Sequence, residues 1–421
     1  MDESPPNPVD QYRGPAMSTP NESTLLVTVT GHDRPGVTSA LFSVLSRHDM
    51  AVLDVEQVVI RGRLVLGVLL RASHSHEAAV RAAVTNALDP LGMEVDIVAG
   101  DGDHARRAKG RSHVTVLGHP LRPAAMAGIA GIVADYGGNI DRIVRIARYP
   151  VTAVELEVSG VDPAELRARL SVAASTLGVD VAVERSGLQR RAKRLVVLDV
   201  DSTLIQGEVI EMLAARAGCA ERVAAVTEAA MRGDLDFAES LRERVRLLAG
   251  LDASALDDVR RELVLAAGAR TFVRTLKRLD YKLAIVSGGF TQITDQLVVD
   301  LGIDYSAANT LEIAGGHLTG DLLGPIVDRA GKAAALERFA AEAGIPVAQT
   351  VAIGDGANDL DMLARAGLGI AFNAKPLVRK AADAALSVPY LDAILFLLGI
   401  SREEIETADA EEGIDVDNPS T

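Results

Sequence analysis

Hydrophobic and polar positions divide the chain into three blocks. In the first, 23–100, strands are predicted over 25–30, 52–60, 64–72 and 94–98. Helices are predicted over 37–48 and 76–88, so the order is βαββαβ. The second block, 112–186, repeats that order, with strands over 114–117, 140–147, 152–158 and 179–183 and helices over 124–136 and 163–176. Six elements recurring in one order mark an internal duplication. Gly31-His32 returns as Gly118-His119 at the equivalent strand-to-helix junction, and Arg34-Pro35 returns as Arg122-Pro123. The charged, glycine-containing stretch 101–111 reads as a linker.

The third block, 187–400, differs in kind. Short apolar strands over 195–200, 282–286, 350–353 and 370–372 end in polar turns and alternate with helices. That pattern predicts an α/β domain with a doubly wound parallel sheet. A mostly helical insertion, about 207–268, separates its first two strands. In such a sheet ligands gather at the carboxyl ends of the strands, and the polar motifs lie there.

A chain of 421 residues with 48% hydrophobic content is long enough for several cores. Its net charge of -15 argues against a nucleic-acid binder, which needs a basic surface to displace counterions. With no Trp, stacking platforms for single strands are scarce too. The single cysteine, Cys219, excludes an intrachain disulfide and reads as a structural thiol. Residues 1–22 are acidic and Pro-rich without a secretory apolar segment, and are expected to be a disordered tail with Met17 as an alternative start. No apolar run reaches membrane-span length, so a cytoplasmic protein is expected. Between 402 and 417, eight acidic residues face only Arg402, and 401–421 is expected to be a disordered acidic tail without a calcium loop. His74-Ser75-His76 lacks a third metal ligand nearby and reads as loop histidines.

Four elements in chain order carry the chemistry. Asp199-Val200-Asp201-Ser202-Thr203 ends the first strand of the third block, and Ser287-Gly288-Gly289 ends the second. Lys332 opens a helix, and Gly354-Asp355-Gly356-Ala357-Asn358-Asp359 ends the third strand. Two carboxylates spaced i, i+2 suit phosphoryl transfer: Asp199 as nucleophile, Asp201 as the acid for the leaving oxygen and then the base for water. Ser287 and the Gly288 N–H can cradle phosphate oxygens, because glycine lets the main chain come close. Lys332 supplies positive charge. Asp355, with Asp199 and the main-chain carbonyl of Asp201, suits a hard divalent cation, Mg²⁺. Singly, each motif is an ordinary turn or surface charge; jointly they indicate an enzyme.

This set resembles the haloacid dehalogenase superfamily and, within it, the phosphoserine phosphatases. The two N-terminal repeats resemble ACT domains, a layout similar to the mycobacterial members. The resemblance implies Mg²⁺-dependent hydrolysis of O-phospho-L-serine, the last step of serine biosynthesis, through an aspartyl phosphate. It identifies the insertion as the small cap of the family. It assigns Glu208 to the substrate ammonium, Arg244 to the substrate carboxylate, Met231 and Phe237 to an apolar lid, and Asn358 to the phosphate surroundings. Read alone, Phe237 is a core residue and Arg244 a helix-surface ion pair.

In the first repeat, Gly31-His32-Asp33-Arg34-Pro35-Gly36 matches the G-x-D-x-x-G turn of ACT domains, so Gly31, Asp33 and Gly36 are the effector-binding candidates. L-serine is the expected effector. The second repeat lacks the Asp and the closing Gly, which points to a structural or pairing role. Pairing through ACT domains implies a homodimer or higher homo-oligomer. Three alternatives stay open: both repeats serve only dimerisation, the substrate is another small phosphate ester or a phosphoprotein, or the phosphatase domain is vestigial within a sensing module.

Overall fold

A computed structural model describes residues 23–71, 77–101, 110–232 and 234–414. The tail 1–22, most of the 101–111 stretch, His74 to His76, residues 415–421 of the acidic tail and the Met231 side chain lie outside the described residues. The chain divides into two compact units, Met1–Arg106 and Arg107–Thr421.

In the first unit the strands are β1 (Ser23–His32), β2 (Ala51–Ile60), β3 (Arg63–Arg71) and β4 (Glu94–Asp101), with helices Val37–Leu45 and Glu77–Leu88 between them. They form a four-stranded antiparallel sheet in the order β2-β3-β1-β4. Leu25, Val27 and Val29 alternate onto the face that packs against Val37, Leu41, Val80 and Val84 of the two helices.

The second unit opens with β5 (Ser112–Gly118), β6 (Asn139–Ala147), β7 (Thr152–Ser159) and β8 (Asp180–Arg185). The repeat order is again βαββαβ, with helices Pro163–Leu177 and Pro123–Asp135. The former starts cleanly because Asp162 accepts from the Ala164 and Glu165 N–H groups, and it ends at Gly178, with φ 66°. The remaining strands are β9 (Leu195–Leu198), β10 (Lys282–Phe290), β11 (Tyr305–Ala314), β12 (His317–Leu323), β13 (Thr350–Gly354), β14 (Leu368–Phe372) and β15 (Ala384–Leu386). All eleven strands of this unit form one sheet, β12-β11-β10-β9-β13-β14-β15-β8-β5-β7-β6. From β11 to β15 neighbours are parallel, as a doubly wound sheet requires. The second repeat is not a separate body, because β15 pairs antiparallel with β8.

Strand β9 is apolar throughout because both of its faces are covered. Val196 and Leu198 join the core beneath the insertion, whereas Leu195 and Val197 pack with Leu336 and Phe339 on the other side. The insertion consists of helices Val209–Arg216, Ala220–Arg232, Phe237–Arg246 and Ser254–Glu262. Its two connecting strands are clipped together where Gln206 N–H donates to Val264 O and Ala266 N–H to Leu204 O.

The acidic tail requires a correction. Residues Arg402–Glu411 form a helix with a Ser401/Glu404 capping box. Asp409, fully buried, pairs with Arg274 and Arg278, and Arg402 pairs with Asp392. Specific ion pairing, invisible in local composition, orders this segment. Among the described residues no helix is long and apolar enough to cross a membrane.

Candidate active site

The chain leaves β9 through a wide turn, Val200–Leu204, closed by the Ile205 N–H on Val200 O. Inside it Ser202 takes φ 59°, a left-handed conformation uncommon for a residue with a Cβ and typical of strained functional turns. This geometry sends Asp199 and Asp201 in different directions. Asp199 accepts from Lys332 Nζ at 2.6 Å. Asp201 accepts from the Val209 N–H at 2.9 Å and from Ser287 Oγ at 3.0 Å. Ser287 Oγ in turn accepts from the Gly289 N–H at 2.7 Å.

Lys332 is wholly buried in the first turn of helix Arg329–Glu342, whose start is capped by the Asp328 side chain on the Gly331 N–H. It also donates to Asp359 Oδ1 at 2.7 Å. Burial disfavours its charge, but Asp199 and Asp359 outweigh that and hold the ammonium above the ordinary lysine range. Asp359, whose other oxygen accepts from the Gly356 N–H at 2.9 Å, was not among the residues singled out from sequence. Its place as the last residue of the G-D-G-x-N-D string is the signal that could have found it.

Carboxylate oxygens of Asp199, Asp355 and Asp359 lie within 4.8 Å of one another. Thr203 Oγ1 donates to Asp355 at 3.1 Å. From sequence, Asp201 enters the cation site only through its main-chain carbonyl, and its carboxylate is committed elsewhere. Burial, then repulsion from Asp359, pushes the Asp355 carboxyl up to about 6. Burial and the Asp359 charge likewise raise Asp199 well above the carboxylate range, against the pull of Lys332. The crowded carboxylates of Asp199, Asp355 and Asp359 outnumber the Lys332 ammonium that pairs with two of them, and this all-oxygen donor set fits a hard divalent cation.

Above these groups lies a cavity of about 640 Å³ between the sheet and the insertion. Glu208 and Arg244 line it, as do Phe237, Gly288 and Asn358. Glu208 accepts from Ser202 Oγ at 3.1 Å. Burial, followed by repulsion from Asp201, pushes its carboxyl up to about 7. Burial pulls the Arg244 guanidinium down, while Glu208 and Asp201 pull it back. Arg244 stands on helix Phe237–Arg246, which begins with an Asp236/Glu239 capping box.

Asn309 was missed. It is buried on β11, donates to Gly288 O at 2.8 Å and accepts from the Val327 N–H at 2.8 Å, so it fixes the Ser-Gly-Gly turn against the segment leading to Lys332. The Gly315-Gly316 hairpin signal between β11 and β12 could have revealed its strand. Arg329 and Lys375 also line the cavity without having been anticipated.

The effector candidates lie in the first unit. Gly31 is close to the end of β1, where a Cβ would meet Met93 Sδ at 2.6 Å. Gly36 caps helix Val37–Leu45 with φ 97°. Asp33 is exposed, and its N–H donates to Gly62 O at 2.8 Å.

Comparison with known proteins agrees with this architecture. Residues 196–364 match the haloacid dehalogenase-like hydrolase family, and residues 23–98 and 111–184 each match an ACT domain. The chain is 59% identical to a phosphoserine phosphatase of Streptomyces coelicolor, over 94% of this chain and 96% of that one. It is 55% identical to a phosphoserine phosphatase of Mycobacterium tuberculosis, over 93% and 97% of the two chains. The crystal structure of a probable phosphoserine phosphatase from Vibrio cholerae superposes with a TM-score of 0.55 at 35% identity, covering 70% of this chain and 88% of that one. With near-complete coverage at such identity, the chain belongs to the phosphoserine phosphatase family, with a haloacid dehalogenase-like domain behind two ACT domains.

Proposed function

We propose that the chain hydrolyses O-phospho-L-serine through an aspartyl phosphate on Asp199. The observation that carries this reading is one cavity lined both by Asp199, Asp201 and Asp355 and by Glu208 and Arg244. The first three are the candidate phosphoryl-transfer groups, and the last two are a carboxylate and a guanidinium suited to the substrate ammonium and carboxylate.

An Asp199 oxygen attacks phosphorus, and the bond from phosphorus to the serine oxygen breaks. Asp201 delivers its proton to that oxygen, releasing serine. In the second half Asp201 takes a proton from water as the water oxygen attacks phosphorus. The bond to Asp199 then breaks, and inorganic phosphate leaves. Burial holds the Asp201 carboxyl above the ordinary range, against the pull of the Val209 N–H and Ser287, which favours the proton that an acid needs. Ser287 and the Gly288 N–H are the candidate phosphate cradle, with Asn358 close by. Lys332 holds Asp199 in place and balances part of the incoming charge. Mg²⁺, held by Asp199, Asp355 and the Asp201 carbonyl, would supply the positive charge that lets a carboxylate approach a phosphate dianion.

Phe237, which lines the cavity, is the proposed lid residue, and the family resemblance assigns Met231 to the same role. In the first repeat the exposed residues 32–36, which follow the buried Gly31, lead into a helix N-terminus suited to an amino-acid carboxylate, with Asp33 for the ammonium. L-serine is the proposed inhibitor, acting on a homodimer or larger assembly paired through ACT domains.

Phosphate release from phosphoserine tests the reading, measured with Mg²⁺, with a chelator and with added L-serine. Chelator-sensitive release that serine suppresses in wild type but not in Asp33→Ala supports both halves. Release only from other phosphate esters removes the substrate. Equal suppression in Asp33→Ala removes the sensor.

A further inference from the structure

The helix that carries Arg244, Phe237–Arg246, is held from the edge of the sheet. A Cβ built on Gly320 of β12 would stand 3.3 Å from the Cα of Arg246, 3.4 Å from its carbonyl oxygen and 2.9 Å from the Ala249 Cβ. Non-bonded carbons rest at about 3.5–4.0 Å, so a side chain at 320 has no room unless the strand or the helix moves. The backbone there also has φ 90°, in the left-handed region that favours glycine. Strand and helix therefore meet at a point where only glycine fits.

The segment after that helix is stitched to the same strand. Gly250 N–H donates to Leu318 O at 2.8 Å, Leu318 N–H to Leu251 O at 2.9 Å, and Ala253 N–H to Gly316 O at 2.8 Å. Leu318 is buried in the core that the sheet shares with the insertion. From the next helix, Ser254–Glu262, the Arg260 guanidinium donates to Gln292 O at 2.6 Å, at the start of helix Thr291–Leu301. The insertion is thus fastened to the sheet a second time, away from its clip at Gln206 and Ala266. The same hairpin also braces the turn proposed to cradle phosphate. Strand β11, which carries Asn309 and its bond to Gly288 O, pairs with β12 through Leu311 opposite Leu322 and Ile313 opposite Leu318.

We propose that Gly320 is a positioning residue for Arg244. By letting β12 and the helix meet so closely, it sets where the guanidinium stands for the substrate carboxylate. Arg244 takes its place from its own helix, since its Nε donates to Ser240 O one turn back at 3.4 Å. A helix displaced at Arg246 carries Arg244 with it, and charge-assisted pairing with a carboxylate depends strongly on geometry. This rests on the phosphoserine reading above. It gives the β11–β12 hairpin a part in choosing the substrate, although the chemistry takes place elsewhere.

The test is steady-state kinetics of the full chain with O-phospho-L-serine and with two esters that lack the carboxylate, O-phosphoethanolamine and p-nitrophenyl phosphate. Gly320→Ala should lower kcat/KM for phosphoserine by roughly tenfold, mainly through KM, and leave the other two esters within about twofold. In an Arg244→Met background the same substitution should change no substrate by more than about twofold, because the group it positions is gone. Ala249→Val crowds the contact from the helix side without touching the Gly320 backbone. It should give the same selective loss, and it decides the matter where the melting curve shows that Gly320→Ala does not fold. Equal losses on all three esters, a loss that persists in Arg244→Met, or wild-type constants in the folded variants overturn the positioning role. If wild type does not hydrolyse phosphoserine, or Arg244→Met alone leaves its turnover intact, the phosphoserine reading of this site fails and Gly320 falls with it. A selective loss in Arg244→Met with none in Gly320→Ala or Ala249→Val removes Gly320 alone.

Discussion

The Phe237 ring lies directly against Gly288: a Cβ built on that glycine would stand 2.9 Å from Phe237 Cζ. The ring of the proposed lid therefore seats on the turn proposed to cradle phosphate, and the absence of a side chain at 288 is what permits it. Gly288→Ala should hold the lid off its seat. We expect kcat/KM for phosphoserine to fall roughly ten- to hundredfold, because small displacements of positioned groups carry that cost. Phe237→Ala should partly suppress the defect in the double variant, measured by steady-state kinetics.

Glu208 gives the site a pH signature. Burial and the Asp201 charge push its carboxyl up to about 7, so below that pH the free site holds it neutral. A neutral carboxyl cannot pair with the substrate ammonium. The kcat/KM for phosphoserine should therefore rise with pH through about 7 and level off above it. Glu208→Gln should raise KM by about tenfold and erase this rise, as a pH profile of kcat/KM would record.

The helix Arg402–Glu411 predicts a stability effect far from the chemistry. Burial pushes Asp409 up, but its hydrogen bonds from Arg274 and Arg278 outweigh this and hold it below the ordinary carboxylate range. Asp409→Ala should cost about 2 kcal/mol, since it removes a buried acceptor from Arg274 and from Arg278, the latter keeping Glu412. Because the folded-state pKa is depressed, wild type keeps this contribution above about pH 4 and loses it as pH falls through the folded value. Denaturant midpoints of wild type and variant should converge in acid.

These cases also show what local sequence can and cannot carry. The duplicated βαββαβ order and the strand-end motifs were legible, because strand alternation and the residue types needed at a phosphate site are both short-range. Asp409 was not, because its partner Arg274 lies 135 residues away. The same holds for the pairing of β15 with β8, whose register joins Ala384 to Ala182 and turns the second repeat into an extension of the catalytic sheet. Asn309 was hidden because β11 and β12 mix polar and apolar positions, although the two left-handed glycines between them, Gly315 and Gly316, were there to be read.

The central claim is that Asp199 carries the phosphoryl group. Rapid acid quench during turnover of phosphoserine, followed by peptide mass spectrometry, tests it directly. The account predicts a transient phosphoryl adduct on the peptide containing Asp199, absent from Asp199→Asn, which should stay folded yet lose turnover. A fully active Asp199→Asn, or an adduct on another residue, would contradict it.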